Sequence, residues 1–156
     1  MTHSALLEAV QAELELLSRF FFTLEKEHQT LLSSYNNNEL FDLTELKNQY
    51  ADAMAQAAIQ RDHVLAEHQL ETGLAGLTQA QALSSELADS VQQLLELTTQ
   101  ARELNEKNGV LINAYLEYTT EALNTLQKHA APTADVYNAQ GKKQTPMQSR
   151  RGYTKA

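Results

Sequence analysis

Along the first fifth of the chain, apolar positions recur at alternating steps of three and four. Leu7, Val10, Leu14, Leu17, Phe21, Leu24, His28, Leu31 and Tyr35 keep this spacing without a miss. A heptad seam of more than four repeats predicts a helix packed along its length, from about Ser4 to Tyr35 and roughly 45 Å long at 1.5 Å per residue. Leu6, Phe20 and Leu32 widen the stripe, so this helix should touch more than one neighbour. Asn36, Asn37 and Asn38 predict its end, because asparagine side chains compete for the backbone. A second helix is expected from Asp42, with Glu45 completing a capping box. Its seam (Leu43, Leu46, Tyr50, Met54, Ala57, Val64) is thin and set among alanines, which allow close approach but bury little area.

Gly73 and Gly76 predict the next break, with Thr78 as a candidate N-cap and Gln81 in the box position. A third long helix is expected from about Ser85 to His129. Its seam reads Leu94, Leu97, Ala101, Leu104, Asn108, Leu111, Tyr115, Tyr118 and Ala122, and a second apolar row contains Leu87, Val91, Leu95, Ile112, Leu116, Leu123 and Leu126. Ala131-Pro132 stops it. The remainder has no apolar period and is read as disordered. The expected fold is all-α: an elongated antiparallel helical bundle, or coiled-coil hairpin, of three long helices with a disordered C-terminal tail. The expected division is a helical domain over 1–131 and a flexible basic tail over 132–156.

Composition sharpens this reading. Of 156 residues, 46 are Leu or Ala while Val and Ile number 7, which disfavours strands. The chain has no Cys, which excludes disulfides, thiolate-ligated metal and thiol catalysis. No apolar run is long enough to span a bilayer, and the first residues lack the basic region of a secretory signal, so the cytoplasm is the expected compartment. Residues 1–131 carry 7 Lys/Arg against 19 Asp/Glu, whereas 132–156 carry five basic residues against Asp135. An acidic body disfavours nucleic acid and anionic membrane as partners.

Catalytic candidates are thin. Glu25 and His28 form one Glu-x-x-His unit of the kind found in di-iron bundles, which need two such units and two further carboxylates. No second unit exists. His28 reads instead as a polar seam residue that helps fix register. His63 and Glu67 at i,i+4, with His68 beside them, are a candidate for one loosely held metal ion, but His63 and His68 read instead as exposed helix residues. No nucleophile elbow or phosphate loop is present, and no enzyme activity, metal or cofactor is expected.

The informative stretch is Glu103–Ile112. Asn105, Asn108, Gly109 and Ile112 share one helical stripe, and Gly109 costs a helix about 1 kcal/mol relative to Ala. Two amides and a missing side chain suit either a tight crossing of the protein's own helices or a groove for a partner helix. The strong apolar set that follows should exceed what the first two helices cover, and exposed apolar surface of that size marks a binding site.

Leu104, Asn105, Asn108, Gly109, Leu111 and Ile112 spell L-N-x-x-N-G-x-L-I, which resembles the hallmark of the FlgN family of flagellar export chaperones. Ala122-Leu123, Leu126 and then Tyr137-Asn138-Ala139-Gln140-Gly141 resemble its later elements, and the likeness covers the whole length. It implies a cytosolic chaperone of the flagellar type III secretion system that holds hook-associated proteins until export. By the same resemblance, the C-terminal half binds the client's terminal helical segments, with Asn105, Asn108 and Gly109 matching the motif; the apolar set Leu111, Ile112, Tyr115, Leu116, Tyr118, Leu123 and Leu126 is the surface expected to receive them. The tail element, with Tyr137 and Gly141, is implied to engage the cytosolic part of the export gate. The Asn36–Asn38 run and the alanine-rich second helix depart from the family's pattern. A homodimeric coiled-coil adaptor is the alternative from the residues alone, and a metal-dependent bundle enzyme the third reading.

Overall fold

The computed structural model describes residues 3–33, 37–129, 136–137 and 143–144. Four helices are present among them: α1 (Ser4–Ser33), α2 (Asn37–Glu67), α3 (Gly73–Ala80) and α4 (Ser85–His129). A two-residue antiparallel ladder follows, β1 (Val136–Tyr137) with β2 (Lys143–Gln144). The chain divides into two compact units, Met1–Ala114 and Tyr115–Ala156.

In the first unit the predicted seam of α1 is resolved into rows. Val10, Leu17, Leu24 and Leu31, spaced by seven, are buried, while Leu7, Leu14, Phe21 and His28 are half-buried. Leu6 and Glu27 extend burial on the flank. Opposing rows come from α4 (Leu87, Val91, Leu94, Ala101) and from α2 (Val64, Leu65), closed at one end by Leu77 and Ala80 of α3. Long-range polar contacts set the directions. Glu27 and Glu13 of α1 meet Lys47 and Arg61 of α2, so these two helices are antiparallel. Asn108 reaches Leu24 and Glu27, and the N-terminal ends of α1 and α4 line a common cavity with His3, Leu7, Ser84 and Glu86, so α4 runs parallel to α1.

The alanine-rich centre of α2 behaves as its composition requires. None of its residues between Leu43 and Arg61 is buried, and an open cavity of about 350 Å³ lies beside it among Glu13, Leu17, Phe20, Met54, Ala101 and Asn105. Arg61 anchors the helix instead. Its Nη1 donates to both Glu13 oxygens at 2.7 and 2.6 Å, and its Nε and Nη2 donate to Asp62 Oδ1. Asp62 Oδ1 also accepts the Gly73 N–H, which ties α3 to the same hub. Burial pushes the Glu13 carboxyl above its ordinary range, against the pull of the Arg61 guanidinium.

Three boundaries differ from the sequence reading. α2 starts at Asn37 rather than Asp42, so Asn37 and Asn38 lie inside a helix; Tyr35 and Asn36 fall outside the described residues. The break expected at Gly73–Thr78 is helix α3, and the true break is residues 68–72. There α2 ends in a Schellman motif, with Leu70 N donating to Leu65 O, Gln69 N donating to Ala66 O, and Gln69 itself at φ 60. Gly76 is needed inside α3 because a Cβ there would fall 1.7 Å from the Glu71 carbonyl oxygen. Thr78 lies within that helix and bonds back to Leu74 O rather than capping its start. α4 matches its predicted bounds, and Ser84 is its N-cap, accepting the Leu87 N–H at 3.1 Å.

In the second unit, residues 117–118 and 120–129 of α4 are exposed, as is Leu116. The expected disorder of the tail falls largely outside the described residues; its four described residues form the ladder.

Candidate functional site

The asparagine stripe occupies α4 where its surroundings change. Asn108 is fully buried. Its Nδ2 donates to the Leu24 carbonyl and to Glu27 Oε1, both at 2.9 Å. That orientation turns Oδ1 toward His28 Nδ1, 2.8 Å away, so the His28 nitrogen carries the proton and donates. Glu27, 1% exposed, also accepts from Lys47 Nζ at 3.1 and 3.3 Å. Lys47 donates in turn to Asn105 Oδ1 at 2.9 Å. Three helices thus meet in one polar layer, with every polar atom of the Asn108 amide bonded inside the chain. Buried polar groups hold their place only when satisfied in this way.

Around the layer, Asn105 is exposed and Gly109 is half-buried. A Cβ built on Gly109 would meet nothing within 4 Å. No neighbour among the described residues therefore requires a glycine there, and a tight crossing of the described helices does not explain the residue. Leu111, Ile112 and Tyr115 are half-buried. Leu116 (56%), Tyr118 (72%), Leu123 (54%) and Leu126 (67%) are exposed. Ile112, Leu116, Leu123 and Leu126 fall within roughly 80° of one another around the helix, at 3.6 residues per turn. Asn105, Asn108 and Ala101 share that sector. Along one stripe Leu87, Leu94, Ala101 and Asn108 are thus buried, with Asn105 exposed between the last two, and Leu116, Leu123 and Leu126 are open.

Tyr137 lies in β1, paired in register with Lys143. Gly141 lies outside the described residues. Of the metal candidates, His28 Nδ1 is engaged by Asn108, and His63 Nε2 stands 3.4 Å from Glu67 Oε1 on an exposed turn. Among the described residues, no group of three or more His, Asp or Glu side chains is placed to hold a metal ion. No described helix is long and apolar enough to cross a membrane. Sequence reasoning missed Glu27, Lys47 and the Leu24 carbonyl as partners of the asparagines, and Arg61 as a partner of Glu13. A signal existed: Glu13 and Glu27 occupy the same seven-residue row as Leu6 and Phe20, where a carboxylate needs a partner.

Residues 1–145 match the family model described as FlgN protein. The chain belongs to the FlgN family. FlgN proteins are chaperones of flagellum assembly and type III export. Flagella synthesis protein FlgN of Proteus mirabilis is 29% identical over 138 residues, which span 88% of each chain. No solved structure matches the chain. The FlgN model covers the whole polar layer and the whole open stripe of α4, together with both described tail strands.

Proposed function

We propose that this FlgN-family protein is a cytoplasmic export chaperone for flagellar hook-associated proteins. It holds their unfolded terminal helical segments on α4, prevents premature assembly and delivers them to the cytosolic domain of the flagellar export gate. The observation that carries the reading is the apolar stripe of α4, whose last buried side chain is Asn108 and whose Leu116, Leu123 and Leu126 are open. A client's terminal helix, made to coil with its own kind, presents the apolar row that such a stripe lacks. Gly109 offers room for close backbone approach at the base of the stripe. Leu111, Ile112, Tyr115 and Tyr118 widen the surface, Asn105 and Gly109 form its root, and Asn108 lies buried beneath it. Tyr137 and Gly141 serve the gate. Ordering a client helix consumes part of the interaction energy, so affinity is moderate and release needs no nucleotide, on the order of micromolar or somewhat tighter.

The test is a pull-down from motile cells with the wild-type chain and with Leu116→Glu/Leu123→Glu/Leu126→Glu, read by mass spectrometry. Hook-associated proteins captured by the first and lost by the second support the reading. Equal capture by both overturns it. So does a free protein whose α4 amides beyond Tyr115 are already fully shielded in hydrogen exchange, for instance within a homodimer.

A further inference from the structure

The apolar seams hold α4 with little discrimination at its far end. At its start, α4 is tethered by the four residues 81–84 from α3 and by the Ser84 cap. Past Ala101, its buried set reduces to one side chain, Asn108; Leu104, Leu111 and Ile112 are only half-buried. The Arg61–Glu13 pair joins α1 to α2 and leaves α4 unconstrained. Leucine rows spaced by seven on both α1 and α4 tolerate rotation or sliding, because one leucine replaces another at similar cost. The polar layer does not. Seven residues either side of Asn108 stand Ala101, with no polar group, and Tyr115, with one hydroxyl on a large ring. Neither satisfies the Leu24 carbonyl, Glu27 and His28 together. A displaced α4 would leave a buried carboxylate and a buried carbonyl short of their donor.

We propose that Asn108 is a positioning residue rather than a client contact. Clamped by Glu27, His28 and the Leu24 carbonyl, it fixes the rotation and register of α4 where its apolar stripe passes from buried to open. Lys47, through Glu27 and Asn105, adds the clamp from α2. This rests on the client reading above only for its functional consequence; the clamp itself rests on the layer's geometry.

The absence of cysteine makes the test clean. Spin labels on introduced cysteines at Gln29 and Glu106, exposed positions near the layer, report its spacing. A second pair at Gln11 and Gln92 reports the tethered end. Both pairs should give one narrow distance in the wild-type background. Asn108→Leu should broaden or split the first distance and leave the second narrow. Should Asn108→Leu not fold cooperatively, Asn108→Ala is read the same way. A narrow, unmoved Gln29–Glu106 distance overturns the clamp. A synthetic peptide of a hook-associated protein's terminal helix should bind the same variant at least tenfold more weakly. Broadened distances with unchanged peptide affinity overturn the positioning role. A peptide that fails to bind the wild type as well overturns the client reading, while the distances still decide the clamp.

Discussion

α4 carries the same apolar stripe twice, to opposite effect. Between Leu87 and Asn108 the stripe buries Leu87, Leu94, Ala101 and Asn108 in the packed unit, and the Asn108 side chain is bonded on every side. Between Leu116 and Leu126 leucines at the same spacing stand more than half exposed. Periodicity fixes which side of a helix is able to be buried; only a partner decides whether it is. The first stretch finds its partner in the chain; the second stands exposed, and under the proposed function it is where a client helix docks.

The largest expected effect breaks the sealed stretch. Leu87→Ala should lower unfolding free energy by about 2–5 kcal/mol, because a fully buried leucine leaves a cavity. Leu123→Ala should change it by less than about 0.5 kcal/mol. Urea titrations of the two variants decide the matter; equal losses would erase the distinction. A polar version comes next. Glu13→Ala leaves the Arg61 guanidinium, buried at 8% exposure, with Asp62 as its remaining carboxylate partner, and should cost about 1.5–3 kcal/mol. Glu121→Ala, on the open stretch, should be neutral in the same titration.

Gly109→Ala sharpens the boundary between them. Open space and a helical backbone let the methyl fit, so the free chain should gain up to about 1 kcal/mol, while client binding weakens. A loss of stability would mean that the glycine serves the fold. The smallest effect is a slope with pH. Glu13 binds its proton more readily in the folded chain than in the unfolded one. Its contribution is therefore fully present below the ordinary value of 4.5 and is lost as pH rises through the raised native value. Glu13→Gln should flatten the stability-versus-pH curve in that interval alone, measured by denaturant titration at successive pH values.

Much of the packed unit is legible from spacing, because heptad rows are local and repetitive. The rows of α1 and the bounds of α4 follow directly. The start of α2 does not, since Asn37 and Asn38 carry poor helix propensity that the packing of the rest of α2 overrides. α3 escapes the pattern because Gly76 looks like a helix breaker, whereas its bare Cα is what lets the helix lie against the Glu71 carbonyl. The asparagine stripe is legible as a feature, but its partners are not. Asn108 is 81 residues from Glu27 and 84 from Leu24 along the chain, and no periodicity joins residues so distant.

The Schellman turn at Gln69 has a consequence for the whole bundle. A left-handed residue with a side chain sits at the corner where the chain turns from α2 toward α3. The usual occupant of such a position is glycine, so the corner holds a small conformational reserve. Gln69→Gly should relax it, leaving a scaffold slightly harder to unzip from its closed end while the exposed stripe of α4 keeps its chemistry.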